Sequence, residues 1–276
     1  MLVFFILLKG GEICLFTNTT FQFDGKKSTD ILDKHLLLVN LDTGGKHAPF
    51  GTEREINEEY VRNNPIPYFF GIDEKPLYFR VTIAKEDGLE LTYEDRIKIV
   101  RWLFHDEYKP FMSTDNIDVV FECLLIERPE KILYGNIPRL IELNFRCNAP
   151  WAWSPLITTN YDLSDNTTTQ IITMTNGSNV EKYNYPEIWI KSLDGGTVSL
   201  VNNSDGGRQF TFANLQVNET IYVNNRLKHI ETDIPNTYRL KDFIGRNWLR
   251  LGYGTNKIGV TGKCLIKTQM KYPISI

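Results

Sequence analysis

Three acidic pairs would do acid–base chemistry if a fold brought each to one substrate: Asp106 with Glu107, Glu53 with Glu55, and Asp162 with Asp165. A glycoside hydrolase needs two carboxylates across a sugar-sized gap, and an acyl-transfer enzyme needs a nucleophile beside a base. The sequence signals neither, since it has no G-x-S-x-G elbow, no H-E-x-x-H pair, no P-loop and no dinucleotide fingerprint after a strand. Solvated surface charge is the simpler reading of all three pairs. The cysteines Cys14, Cys123, Cys147 and Cys264 have no C-x-x-C spacing, and the four histidines are equally dispersed. Neither a zinc site nor a disulfide scaffold is expected, and burial as free thiols is. His105 falls at a predicted helix end, where a terminal carbonyl or solvent is its expected partner. The sequence therefore predicts a chain that is not an enzyme and uses no metal and no cofactor.

Aromatic rings supply the other chemistry, because an exposed indole stacks on a sugar. Trp151, Trp153, Trp189, Tyr222 and Trp248 all lie in the second half. Trp189 and Trp248 sit in strand-like surroundings and read as structural, while Trp151 and Trp153 read as a pair that docks two domains. Carbohydrate binding in surface recognition is the alternative function this composition leaves open.

The elements that must position these residues fall into two unlike halves. Up to Phe145 the chain carries 17 basic and 24 acidic side chains, net −7; from Arg146 onward it carries 14 and 10, net +4. The overall charge of −3 hides this split, and neither half has the basic aromatic stripe of a nucleic-acid binder. Prolines at 150 and 155 oppose a strand running through the join, so the expected domains are residues 1–147 and 148–276. In the first, Leu77, Phe79, Val81 and Ile83 alternate with Tyr78, Arg80 and Thr82, as on a half-buried strand. Ile117 to Leu125 and Ile141 to Cys147 repeat the pattern. Between the first and second of these runs Thr92 and Asp95 fit a capping box, and Ile97, Val100, Leu103 and Phe104 recur at helical spacing, predicting one helix packed on the sheet. Phe21 and Phe23 precede an Asp24-Gly25 turn suited to a tight strand connection.

The second half has 15 asparagines in 131 residues and short apolar alternations separated by Gly, Asn or Asp, which predicts many short strands joined by polar turns. A β-sandwich is the expected form. In the last run Cys264, Ile266, Thr268, Met270 and Tyr272 share one face, and the opposite lysine-bearing face is read as solvent-exposed or edge-protecting. Acceptor patterns for N-glycosylation at Asn18, Asn166, Asn176, Asn202 and Asn218 read as polar turns and edges.

Two stretches are the candidate interfaces. The opening run MLVFFILLKG lacks a basic leader and is too short to span a bilayer, so no membrane insertion is expected. As a strand it would sit in the first core or at an assembly contact, with Leu2, Val3, Phe4 and Phe5 foremost. The polar stretch from Thr43 to Pro67 reads as protruding or crossing a neighbouring surface, with Glu53, Arg54, Glu55 and Arg62 at the contact.

Several segments follow one another in a set order: Phe21-x-Phe23-Asp24-Gly25-x-x-Ser28, the strand Leu77 to Ile83 with the helix opening at Thr92, and Phe145-Arg146-Cys147-Asn148-Ala149-Pro150-Trp151. Thr175-Asn176-Gly177-Ser178 with Tyr185 to Ile190, and Leu251-Gly252-Tyr253-Gly254-Thr255-Asn256-Lys257-Ile258, complete the series. Taken in order, they resemble the bacteriophage distal tail protein family, found at the tail tip or baseplate of long-tailed phages. The resemblance implies a mainly β protein: an N-terminal β-rich, barrel-like domain with a helix, then a galectin-like β-sandwich. It further implies a structural virion protein at the distal end of the tail, synthesised in the bacterial host cytoplasm. Its copies would form a homo-hexameric ring linking the tail tube to tail-hub, baseplate or receptor-binding proteins.

Overall fold

The structure, a computed structural model, describes residues 20–39, 52–114, 116–134 and 136–276. Cys14, Asn18 and the interface candidates Leu2, Val3, Phe4 and Phe5 lie outside them. The fold is mainly β with one α-helix among the described residues, and the chain divides into two compact units after Pro150.

The first unit contains β1 (Phe21–Phe23), β2 (Lys26–Lys27), β3 (Leu36–Leu38), β4 (Arg54–Glu59), β5 (Tyr68–Glu74) and β6 (Tyr78–Lys85), then α1 (Tyr93–Leu103), β7 (Lys109–Ser113), β8 (Asn116–Tyr134) and β9 (Ile137–Cys147). Its main sheet runs β2-β1-β7-β8-β9-β6-β3, and β4 pairs with β5 as a separate ribbon. Asp24 and Gly25, both at positive φ (49° and 74°), form the tight turn that returns β1 into β2. Alternation decides the buried face, with Val81 and Ile83 on β6 and Ile141, Leu143, Phe145 and Cys147 on β9 turned inward. Phe21 stacks on both Trp102 and Phe111, at 5.2 and 5.0 Å between ring centroids.

Helix α1 begins at the expected capping box: Asp95 N–H donates to Thr92 Oγ1 at 3.2 Å, and Thr92 N–H donates to Asp95 Oδ2 at 3.0 Å. Its buried face is not the expected one. Leu103 is buried together with Ile99 and Trp102, whereas Val100 and Phe104 are exposed and Ile97 is half-buried. Trp102 sets the rotation, because it carries the largest side chain of the helix into the aromatic core and donates Nε1–H to the Phe23 carbonyl at 3.0 Å.

The second unit contains β10 (Ala152–Trp153), β11 (Ile157–Leu163), β12 (Gln170–Asn176), β13 (Glu187–Ser192), β14 (Gly196–Asn202), β15 (Arg208–Leu215), β16 (Thr220–Asn224), β17 (His229–Thr232), β18 (Phe243–Ile244), β19 (Gly254–Thr261), β20 (Cys264–Met270) and β21 (Pro273–Ile274). Two antiparallel five-stranded sheets, β11-β20-β13-β16-β17 and β12-β19-β14-β15-β18, contribute side chains to one buried cluster that includes Ile190, Ile221 and Ile266 from the first and Leu200, Phe210 and Val260 from the second. Strand β20 shows the expected alternation, but it lies between β11 and β13, so its lysine-bearing face is solvent-exposed without protecting an edge.

Many asparagines do more than form turns. Asn166, Asn176 and Asn202 are buried, and their amides donate to the carbonyls of Val260 and Gly262, of Leu251, and of Arg250 respectively. Each amide donates to backbone carbonyls within the unit, and the Leu251 carbonyl also accepts the Asn184 N–H at 2.9 Å.

The closed architectures expected from sequence are corrected. The N-terminal domain is not barrel-like, since its sheet ends at the separate strands β2 and β3, and β2 offers only two lysine positions for further pairing. The galectin-like β-sandwich is not formed either: among the described residues no sheet closes, and each sheet of the second unit is an open path that ends on a short strand, β17 or β18. Closure requires hydrogen bonding between the first and last strands of a sheet, and none of these end strands pairs with the other end of its sheet.

Candidate assembly interface

Glu53, Arg54, Glu55 and Arg62 all belong to the β4–β5 ribbon, a hairpin where the sequence suggested a loop. Cross-strand register pairs Arg54 with Glu74, Glu55 with Asp73 and Ile56 with Ile72; after a bulge, Glu58 pairs with Phe69 and Glu59 with Tyr68. Gly71, at φ 147°, sits at this bulge and supplies backbone freedom there. Facing residues share a side, so Ile56, Ile72 and Phe69 lie with Arg54, Glu74 and Glu58, while Glu55, Asp73, Glu59 and Tyr68 lie on the opposite side. Lys75 Nζ bridges Glu53 Oε1 at 2.9 Å and Glu55 Oε2 at 3.4 Å. These partners, Glu53 first, raise the lysine pKa above its ordinary value. Arg62 is exposed in the connecting turn.

The ribbon also exposes large apolar side chains among its charged ones. Ile56 is 61 % and Phe69 63 % exposed, and Tyr60, Ile66, Tyr68 and Phe70 are also exposed. An isolated two-stranded hairpin is marginal in water, and several large apolar side chains exposed on one mark a surface that gains by being covered. Sequence reasoning found the charged residues but missed these rings. The signal was present in three consecutive aromatics, Tyr68-Phe69-Phe70, just after the Asn63 to Pro67 turn.

The remaining candidates form no catalytic constellation. Lys109 Nζ donates to Glu107 at 3.4 Å, and Asp162 accepts the Ser164 N–H at 3.0 Å in a local turn. That turn holds the Asp162 carboxyl below the usual carboxylate range, through the Ser164 backbone and side chain. His105 Nε2 lies 2.9 Å from the Trp102 carbonyl, the helix-end partner expected for it. Among the described residues no cluster of three or more His, Cys, Asp or Glu could hold a metal ion.

Trp151 and Trp153 meet edge-on at 5.9 Å, with Lys182 over the first ring at 4.6 Å and Arg226 over the second at 5.2 Å. Trp248 packs against Phe243 at the edge of the second unit's core. Trp189 lies beside a shallow depression lined by Tyr161, Asp162, Lys191 and Lys267. Its cross-strand neighbours are Tyr222 on β16 and Lys267 on β20, at 4.8 Å between rings and 4.7 Å from Nζ to ring centre. The indole is thus flanked on both sides by its own sheet, and a sugar stacking on it has to displace one of them.

Two family models match the chain, the phage tail protein N-terminal domain over residues 16–149 and the phage tail C-terminal domain over residues 151–272. The chain belongs to this phage tail protein family. This phage tail protein is 24 % identical over 242 residues to the SPbeta prophage-derived uncharacterized protein YomH of Bacillus subtilis (strain 168), covering 85 % of this chain and 90 % of the relative. Its fold is similar to that of the SPP1 Dit (gp 19.1) protein, described as a paradigm of the hub adsorption apparatus in phages infecting Gram-positive bacteria. The TM-score is 0.63 at 15 % identity, over 92 % of this chain and 98 % of that one. A chain of the phage P2 baseplate in its activated conformation is also similar, with TM-score 0.48 and 9 % identity over 92 % and 97 % of the two chains. Family and fold bear out the resemblance drawn from the ordered sequence segments.

Proposed function

We propose that this phage tail protein is the hub component at the distal end of the virion tail. Its copies form a ring that joins the tail tube to the tail tip or baseplate and the host-recognition apparatus. The role is structural and non-catalytic, and the ring is a homo-hexamer assembled from chains made in the host cytoplasm. The observation that carries the self-assembly reading is the β4–β5 ribbon, whose Ile56, Phe69 and Phe70 side chains are exposed. The Dit-like fold supports the distal position. Leu2, Val3, Phe4 and Phe5 are assigned to the same assembly, with Glu53, Arg54, Glu55 and Arg62 as charged contacts that select partners.

The experiment is a mass measurement and negative-stain imaging of the purified full-length chain, paired with localisation on intact virions by a labelled antibody. A six-copy ring and label at the distal tail end are expected. A chain that stays monomeric at high concentration and is absent from purified tails overturns the reading.

A further inference from the structure

We propose that Cys123 and Cys147 are a redox-active dithiol, which closes to a cross-strand disulfide on exchange with a small oxidised disulfide such as oxidised glutathione and so locks β8 to β9. The two thiols are distant in the chain, and the fold makes them register partners on neighbouring antiparallel strands. Both sit on the buried face of the sheet, Cys123 in line with Phe121 along β8 and Cys147 in line with Phe145 along β9. They are 0 % and 1 % exposed.

The main-chain hydrogen bonds fix how near the two are. Partners on an antiparallel ladder alternate between pairs that exchange main-chain bonds, with Cα atoms about 5.5 Å apart, and pairs that do not, about 4.5 Å apart with side chains closer. Cys147 turns its N–H away from β8 and donates it to the Leu77 carbonyl at 2.8 Å. The next residue, Asn148, donates its N–H to the Glu122 carbonyl at 2.9 Å. Glu122 with Asn148 is therefore a bonded pair, and Cys123 with Cys147 an unbonded one. A disulfide spans Cα separations of about 4.4 to 6.8 Å and needs Cβ atoms that leave the same face, and this pair meets both conditions. Burial, and after it the neighbouring Cys147 thiol, hold the Cys123 pKa well above the usual thiol value. Cys264 is placed differently, since its register partners on β11 and β13 are Leu163 and Ser192.

One thiolate of the pair attacks a sulfur of oxidised glutathione, breaks its S–S bond and expels one reduced glutathione, leaving a mixed disulfide. The other, having lost its proton, attacks the protein sulfur of that mixed disulfide, and the bond between Cys123 and Cys147 forms as the second glutathione leaves. Two electrons pass to glutathione, and its two thiols take up the two protons. Because both groups are buried, glutathione enters only while the sheet is locally open, so the first step is slow and the second is intramolecular. A reducing cytoplasm keeps such a pair as thiols, and for a tail protein the bond belongs to the released virion.

The bond acts at a particular place. Cys123 and Cys147 lie at the end of the β8–β9 ladder opposite its turn, so joining them closes the whole hairpin into a loop and removes freedom from the unfolded chain. A calorimetric melting transition of the chain is expected to rise by about 5–10 °C on oxidation and to fall back with reductant.

The test uses the full-length chain purified under reductant. One sample is kept folded in oxidised glutathione for several days; another is unfolded in urea and refolded in a glutathione redox buffer, where access does not limit exchange. Free thiols are then alkylated in denaturant and the digest is read by peptide mass spectrometry. Cys123 joined to Cys147, with Cys264 alkylated, is expected together with the rise in melting temperature. Cys123→Ala or Cys147→Ala is expected to abolish that rise, and Cys264→Ala or Cys14→Ala to keep it. Both thiols still free in the two samples overturn the proposal, and the folded sample alone decides where refolding fails. A bond from either thiol to Cys14 or Cys264 overturns it as well, as does a linked chain that melts no higher than its reduced form.

Discussion

Arg239 and Glu219 are joined by two parallel hydrogen bonds, Nε to Oε1 and Nη2 to Oε2, both 2.7 Å long. Their side chains are only 6 % and 0 % exposed. Glu219 also accepts the Gln216 N–H at 2.8 Å and the Thr232 hydroxyl at 2.6 Å, while Arg239 Nη1 reaches Asp242 at 3.0 Å and the Asn214 carbonyl at 3.1 Å. Removing one partner strands the other charge away from water, so Glu219→Ala is expected to destabilise the second unit by about 3–5 kcal/mol. Replacing both, as Glu219→Leu with Arg239→Met, is expected to lose less than the sum of the single changes. Urea unfolding of the four chains measures this, and additive losses would contradict a coupled pair.

The same carboxylates make the second unit sensitive to acid. Burial pushes Glu219 up, but Arg239, the Gln216 N–H and Thr232 outweigh it and hold the pKa below the ordinary 4.5. Asp242 is held below its ordinary 3.8 chiefly by the Asn214 amide, with Arg239 adding to it against burial. A carboxylate depressed in the folded state contributes stability that is fully present above its unfolded pKa and is lost as pH falls through the folded value. Melting temperature is therefore expected to hold near neutrality and to drop below about pH 4. Glu219→Gln, which has no proton to take up, should lower the neutral melting temperature and flatten that drop; a slope identical to the parent chain would contradict the assignment.

Three thiols should be silent in the native state. Cys123, Cys147 and Cys264 are free and buried. Burial raises Cys147 to about 12 and Cys264 to about 11, and Cys123 is also pushed well above the usual thiol value. The thiolate is the reactive form, so brief alkylation at about pH 8 is expected to leave all three unmodified until denaturant is added. Peptide mass spectrometry reads each site, and native labelling of Cys147 would show that its strand opens.

Reversing charge at Glu53 and Glu55 separates folding from assembly. Both are well exposed and share the exposed Lys75, so Glu53→Lys with Glu55→Lys is expected to change folding stability by less than about 1 kcal/mol. Their proposed use is between copies, so the assembled fraction should fall while the melting temperature of the isolated chain stays close to the parent value. Unchanged ring formation would remove these residues from the contact.

Local patterns carried much of the fold. Alternation marked β6 and β9, Thr92 and Asp95 marked the start of α1, and Asp24-Gly25 marked the first hairpin, because each depends on residues close in the chain. The inward face of α1 was not legible, since the helix has two apolar sides and only the Trp102 contacts with Phe21 and Phe23 choose between them. The pairing of Glu219 with Arg239 was hidden for a related reason: charged residues read as surface until a fold brings them together. The ribbon's charged residues stood out, whereas its exposed rings did not, since exposure is decided by the fold and not by residue type. Open sheet ends depend on which strands fail to pair, which no local pattern records.

The buried asparagines have a consequence for where this chain can mature. Asn176 and Asn202 each head an N-x-Ser/Thr acceptor pattern and are 0 % exposed, their amides held against backbone carbonyls. Oligosaccharide transfer acts on a chain before it has folded, and a glycan on either amide would leave no space for the second unit to form. Passage through a glycosylating secretory compartment would therefore trap the chain unfolded, whereas synthesis in a compartment without that transfer leaves both amides free to complete the fold.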